Sequence, residues 1–202
     1  MMDITQSPSP NFDDRPIDLP IDMLILHYTG MKTGAKALER MCDPAAEVSA
    51  HYMVEEDGSI FQLVSEDKRA WHAGVAFWRG HTNINARSIG IEIVNPGHEW
   101  GYRPFPEAQI MAVITLCKSI LSRHMIEPRN IIGHSDVAPT RKMDPGELFP
   151  WELLAHEGIG IGEFEGEASQ ETLAEFGYDI TDWQAALTAF NRHFRPENLL
   201  KA

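Results

Sequence analysis

Met23-Leu24-Ile25-Leu26 places four apolar residues in succession, with Pro20 shortly before and His27-Tyr28-Thr29-Gly30 directly after. A short apolar run without polar alternation reads as a buried strand, so the fold must cover it. Ser88–Val94 is a second strand of different patterning. Ile89, Ile91 and Ile93 fall on one face, Gly90, Glu92 and Val94 on the other, and Asn95-Pro96-Gly97 stops it. His51-Tyr52-Met53-Val54 and Ile60–Val64 flank Glu56-Asp57-Gly58-Ser59, and Asp-Gly between two apolar runs predicts a hairpin. Asn130-Ile131-Ile132-Gly133 is a further short strand leading into His134. Between the strands, Ala35, Leu38, Met41 and Cys42 recur at helical spacing up to Asp43-Pro44. Ile110, Ile114, Cys117, Leu121 and Met125 form one apolar stripe of a helix that starts at Pro106 and is expected to end at Glu127-Pro128. Strands interspersed with helices predict an α/β domain over residues 1–157.

The two ends of the chain read differently. Residues 1–20 carry Pro8, Pro10, Pro16 and Pro20, which predicts an extended lead-in outside the core elements. Residues 158–202 read as a linker, Gly158–Gly166, followed by helices around Gln170–Phe176 and Asp182–Phe194, a short helical C-terminal extension. A segment of this size cannot sustain its own core, so it is expected to dock on the main domain or on another subunit.

Composition removes several functional classes. The net charge of −13 opposes nucleic-acid binding. Two cysteines, Cys42 and Cys117, exclude a disulfide scaffold and a Cys-rich zinc finger. No transmembrane segment is expected, since no run approaches about 18 apolar residues. The start, Met1-Met2-Asp3-Ile4-Thr5-Gln6, has neither a basic n-region nor an apolar h-region. Together with two unpaired cysteines this predicts a cytoplasmic protein, with a periplasmic or envelope location as the alternative if a longer precursor exists. No Gly-x-Ser-x-Gly elbow and no phosphate-binding loop occur.

The residues that could carry chemistry lie at strand ends. His27 closes one strand, His134 follows another, and Asp144 lies between Met143 and Pro145 in a proline-stiffened loop. Two imidazoles and a carboxylate suit a catalytic zinc, and a strand-end histidine equally suits a structural hydrogen bond. Glu92 is an acid in an apolar strand. It reads either as a solvent-facing residue of a half-exposed sheet or as a general base whose proton affinity burial raises. Lys142 reads as a surface lysine or as an ammonium that stabilises an oxyanion.

Six segments settle these alternatives by resemblance. They are Leu26-His27-Tyr28-Thr29, Val48-Ser49-Ala50-His51-Tyr52, Ala70-Trp71-His72-Ala73-Gly74, Ser88-Ile89-Gly90-Ile91-Glu92, Gly133-His134-Ser135-Asp136-Val137-Ala138-Pro139, and Arg141-Lys142-Met143-Asp144-Pro145-Gly146. In that order, over residues 7–155, the chain resembles the zinc-dependent N-acetylmuramoyl-L-alanine amidases of the AmpD/AmiD type, relatives of the peptidoglycan recognition proteins. The resemblance implies a central mixed β-sheet flanked by helices and one zinc ion per chain. His27, His134 and Asp144 match the metal ligands, Glu92 the catalytic glutamate and Lys142 the assisting lysine. Trp71 and His72 match a motif lining the substrate groove, and His51 reads as a packed strand histidine. The implied partner is peptidoglycan or an anhydro-muropeptide, cleaved between N-acetylmuramic acid and L-alanine in cell-wall recycling or turnover. The alternatives are a recognition module that binds muropeptides without cleaving them and a phage-type endolysin. The full ligand set with Glu92 and Lys142 favours the enzyme. The tail, through Phe176-Gly177-Tyr178-Asp179 and Phe190–Pro196, is similar to the start of the peptidoglycan-binding module of AmiD-type enzymes.

Overall fold

A computed structural model describes residues 3–200. In chain order the strands are β1 (Ile4–Gln6), β2 (Phe12–Asp14), β3 (Met23–Tyr28), β4 (Tyr52–Val54), β5 (Ile60–Gln62), β6 (Lys68–Ala70), β7 (Ser88–Ile93) and β8 (Ile131–Gly133). The helices are α1 (Gly34–Cys42), α2 (Ile84–Arg87), α3 (Gly97–Trp100), α4 (Glu107–Leu121), α5 (His134–Val137), α6 (Trp151–His156), α7 (Gln170–Phe176), α8 (Trp183–Phe194) and α9 (Glu197–Leu200). Six strands form one mixed sheet in the order β1-β5-β4-β7-β3-β8, with β4 and β5 antiparallel and the other neighbours parallel. β2 and β6 form a separate antiparallel pair. Among the described residues no helix is long and apolar enough to cross a membrane.

Strand alternation divides the core between the two faces of the sheet. Leu24 and Leu26 of β3, with Ile89, Ile91 and Ile93 of β7, meet Ile110, Val113, Ile114, Leu116, Cys117 and Ile120 of α4 on one side. Met23 and Ile25 point the other way and join Ile132, Trp78 and the tail residues Leu173, Tyr178, Ala186, Ala189 and Phe190. The central strand is therefore covered from both sides, as its apolar run requires. The tail docks on the main domain, and its connection is not loose: Ile159 enters the first cluster and Phe164 packs on the second. His27 continues the Met23–Ile25 face, and the β3–β7 register sets it opposite Glu92.

Two expectations are corrected. The stripe of α4 stops at Leu121, not at Met125, which is 96% exposed. The Arg123 N–H bonds Ile120 O, tightening the last turn, and His124 swings away to place Nε2 2.7 Å from Glu66 Oε2. The lead-in is extended, but it belongs to the sheets. The N–H groups of Ser7 and Ser9 donate to Gln62 O and Leu63 O, while Pro8 and Pro10 occupy the alternate positions, whose N–H groups would face away from the sheet. Asn11 Nδ2 then ties the lead-in to Asp43 O and Val48 O. The Arg15 guanidinium donates to the carbonyls of Glu66, Asn85, Ala86 and Ser88 at 2.8–3.1 Å.

Candidate active site

β3 carries His27 as its penultimate residue, β8 runs directly into His134 at the start of α5, and the 138–150 loop returns Asp144 to the same place. Gly133 allows this close approach, because a Cβ there would lie 2.7 Å from Pro145 Cδ. The Ser135 N–H donates to Asp144 O at 2.8 Å and locks the two segments together. His27, His134 and Asp144 are buried, and their ligand atoms lie within 4.8 Å of one another. His27 Nδ1 is 2.9 Å from His134 Nδ1, and Asp144 Oδ2 is 3.1 Å and 2.9 Å from the two nitrogens.

The outer contacts assign the tautomers. His134 Nε2–H donates to Ala73 O at 3.0 Å. His27 Nε2–H donates to His72 Nδ1 at 3.0 Å, His72 Nε2–H to Ser88 Oγ at 3.2 Å, and the Ser88 hydroxyl to Ile84 O at 2.7 Å. With the far nitrogens protonated, both Nδ1 atoms present lone pairs toward each other and toward a carboxylate oxygen. Burial first, and then His134, hold the pKa of His27 down at about 4. Burial alone would raise Asp144, and the facing His134 and His27 outweigh it, leaving its pKa below the ordinary range. Three acceptors converging without a donor fit a bound cation, and nitrogen, nitrogen and oxygen donors with anchored imidazoles are the ligand chemistry of a catalytic transition-metal site.

Glu92 stands beside this cluster, Oε1 4.0 Å from His27 Nδ1 and the side chain 15% exposed. Its Oε2 is buried with no hydrogen-bond partner. Burial, and secondarily the Asp144 charge, push its pKa well above the carboxylate range, while Lys142 pulls the other way. Glu92 is thus largely withdrawn from solvent, not a solvent-facing residue of a half-exposed sheet. Lys142 is half-buried.

His72 is buried behind His27, not laid along an open groove. Trp71 is half-buried beside the lead-in, its backbone N–H donating to Ser49 Oγ at 2.9 Å, and Arg69 bonds the Asp13 carboxylate. His51 is a packed strand histidine. The Gly90 N–H donates to its Nδ1 at 2.9 Å, and Arg15 Nη2 lies 2.9 Å from its Nε2. Burial and Arg15 hold its pKa down at about 3. Sequence reasoning did not identify the Ala73 carbonyl, Ser88 or Arg15. A backbone acceptor leaves no trace in residue type, and Ser88 and Arg15 become partners only through strand register.

Residues 17–147 match the family described as N-acetylmuramoyl-L-alanine amidase. The chain belongs to that family. The amidase is 38% identical to the N-acetylmuramoyl-L-alanine amidase AmiD of Escherichia coli, over 87% of this chain and 75% of the relative. It is 33% identical to the 1,6-anhydro-N-acetylmuramyl-L-alanine amidase AmpD of Enterobacter cloacae, over 75% of this chain and 88% of that protein. Among solved structures it superposes on the E. coli AmiD complex with the substrate anhydro-N-acetylmuramic acid-L-Ala-D-γ-Glu-L-Lys. The TM-score is 0.79 at 34% identity, covering 93% of this chain and 90% of the other. The amidase thus has the α/β fold of the AmpD/AmiD type, and its His-His-Asp group fits a metal-dependent amidase.

Proposed function

We propose that this amidase hydrolyses the bond between the lactyl carboxyl of N-acetylmuramic acid, or its anhydro form, and L-alanine in soluble muropeptide fragments, with zinc at the His27–His134–Asp144 cluster. The observation that carries the reading is the convergence of three proton-free acceptors beside an unpaired buried glutamate. The substrate class rests on the likeness to the AmiD complex with anhydro-N-acetylmuramic acid-L-Ala-D-γ-Glu-L-Lys and to the 1,6-anhydro-N-acetylmuramyl-L-alanine amidase AmpD. A cytoplasmic location fits two free cysteines, one of them buried.

His27, His134 and Asp144 would hold the zinc, which would supply Lewis-acid polarisation of the scissile carbonyl and a water whose pKa is lowered to about 7. Glu92 accepts the proton of the attacking water and returns it to the departing amine of L-alanine. Its raised proton affinity suits both transfers. The Lys142 ammonium stabilises the charge on the carbonyl oxygen, and loss of one such donor typically costs about 3 kcal/mol. His72 and the Ala73 carbonyl orient the ligand imidazoles. His72 is therefore read as a support of His27 instead of a groove contact.

The test pairs soluble anhydro-muropeptide with intact sacculi, with and without chelator, and follows released peptides by mass spectrometry. Chelator-sensitive release from the soluble fragments is expected, restored by zinc. Glu92→Gln is expected to keep zinc and lose at least about a hundredfold in kcat. His134→Ala is expected to lose both metal and activity. Release from sacculi alone would overturn the substrate assignment. Binding without release by the zinc-loaded protein would make it a recognition module.

A further inference from the structure

The tail of this chain reaches the segments that carry the ligands. Asp136, two residues after His134, is a fully buried carboxylate. It accepts the Gly133 N–H at 2.8 Å and so caps the first turn of α5, the turn that begins with His134. Its two other bonds come from the tail. Tyr178 OH donates to Oδ1 at 2.6 Å and His193 Nδ1–H donates to Oδ2 at 2.7 Å. The His193 ring is itself fixed between Trp151 and Phe194, with ring centroids at 3.8 Å and 4.0 Å and planes within 14° and 8°. Arg192, next in sequence, approaches Glu147 on the loop that carries Asp144, with Nε 3.5 Å from Oε2.

Taking the metal-site reading above as given, we propose that Tyr178 and His193 are positioning residues of the metal centre. They act through Asp136 to hold the Gly133–His134 turn, which makes the C-terminal extension part of the site's scaffold. The reasoning is energetic. A carboxylate buried to this degree is tolerated only with its acceptor capacity filled. Remove the two tail donors and Asp136 keeps one backbone N–H, so it turns toward water or another donor. The turn bearing His134 then loses its cap. His134 Nδ1 has to stay within a few tenths of an ångström of one position to share a cation with His27 and Asp144, and outer-shell bonds are what enforce such placement. The Ser135 N–H to Asp144 O bond passes any displacement of the turn to a second ligand.

The experiment uses the full chain and two substitutions that preserve shape, Tyr178→Phe and His193→Phe, singly and together. Phenylalanine at 193 keeps the stack with Trp151 and Phe194 and removes the donor to Asp136 together with the Nε2 contact to Ile161 O at 3.2 Å. Zinc affinity is measured by competition with a chromogenic chelator, folding by circular dichroism, and turnover on anhydro-muropeptide per bound zinc. The double variant is expected to fold, to bind zinc about tenfold or more weakly, and to keep KM. His193→Asn, which returns a donor near the Nδ1 position, is expected to recover most of the affinity of the His193 single variant. Phe190→Leu, a change in the tail core away from Asp136, is expected to lower the unfolding midpoint without weakening zinc. A folded double variant with zinc affinity within about twofold of wild type overturns the inference, as does an equal loss in Phe190→Leu. If only one single variant folds, its affinity is judged by the same criterion. Wild-type protein that takes up no zinc overturns the metal-site reading itself, a result distinct from wild-type uptake unchanged in the variants.

Discussion

The lead-in and the tail lie at opposite ends of the sequence and support different residues of one site, by different chemistry. The lead-in uses the backbone: edge pairing with β5, and one arginine fork spread over four carbonyls. From Arg15 the contacts run through His51 to the Gly90 amide of β7. Gly90 lies so close to His72 that a Cβ there would meet its ring at 2.5 Å, and His72 holds His27. The tail uses side chains: an aromatic cluster and two donors aimed at Asp136 on the His134 side. Anchoring of the first kind rests on strand pairing and on a few side chains, Arg15 above all, matched to backbone acceptors. Anchoring of the second kind is spread over many apolar contacts, and its polar part is separable from its packing.

That difference predicts unequal sensitivity. The largest effect is expected at Arg15→Ala, which strips four carbonyls of their donor and should lower stability by roughly 4 kcal/mol in urea unfolding. Arg15→Lys should recover little, since an ammonium cannot reach all four acceptors. If Arg15→Ala costs no more than Tyr178→Phe, the contrast between the two ends collapses.

A smaller effect sharpens the comparison through pH. Glu66 gives its carbonyl to Arg15, and its carboxylate is bonded by Arg123, His124 and Tyr52. Burial alone would raise its pKa. The bonds from Arg123, His124 and Tyr52 outweigh burial and hold it at about 2, against an ordinary 4.5. A depressed carboxylate stabilises the folded state fully above the unfolded pKa, and the contribution disappears as pH falls through the folded value. The stability gap between wild type and Glu66→Gln should therefore be constant above about pH 5.5. Between pH 4.5 and pH 2 it should shrink by on the order of 3 kcal/mol, read from denaturant unfolding at each pH. A gap that does not move over that window would mean that the bonds from Arg123, His124 and Tyr52 do not hold the Glu66 carboxylate in the folded state. The smallest effect is expected at Met125→Gln, within about 0.5 kcal/mol of wild type, since that side chain lies outside the helical stripe.

Much of the sheet could be read from the sequence because its signals are local. The Met23–Leu26 run, the isoleucine alternation of β7 and the Asp57-Gly58 hairpin each specify a strand without knowledge of the rest. α7 and α8 were legible for the same reason, from caps and spacing. The lead-in was misjudged because four prolines in twenty residues read as punctuation, whereas prolines at alternate positions leave every inward N–H intact. Met125 was misjudged because spacing continued after the helix had stopped. At the site, residue type and resemblance pointed to His27, His134, Asp144 and Glu92. What orients them was hidden, since it consists of a backbone carbonyl, a strand serine and an aspartate whose partners come from 42 and 57 residues away.

The alternate prolines also bear on how copies of this protein meet one another. β1 forms one margin of the six-stranded sheet, and an open margin of that kind normally invites a strand from another molecule. Here the stretch that extends the margin beyond Gln6 has rings at positions 8 and 10, where outward amide hydrogens would otherwise stand. The feature that anchors the lead-in inward thus leaves little outside for a neighbour to add to, and the molecule is guarded against strand-by-strand aggregation at that margin.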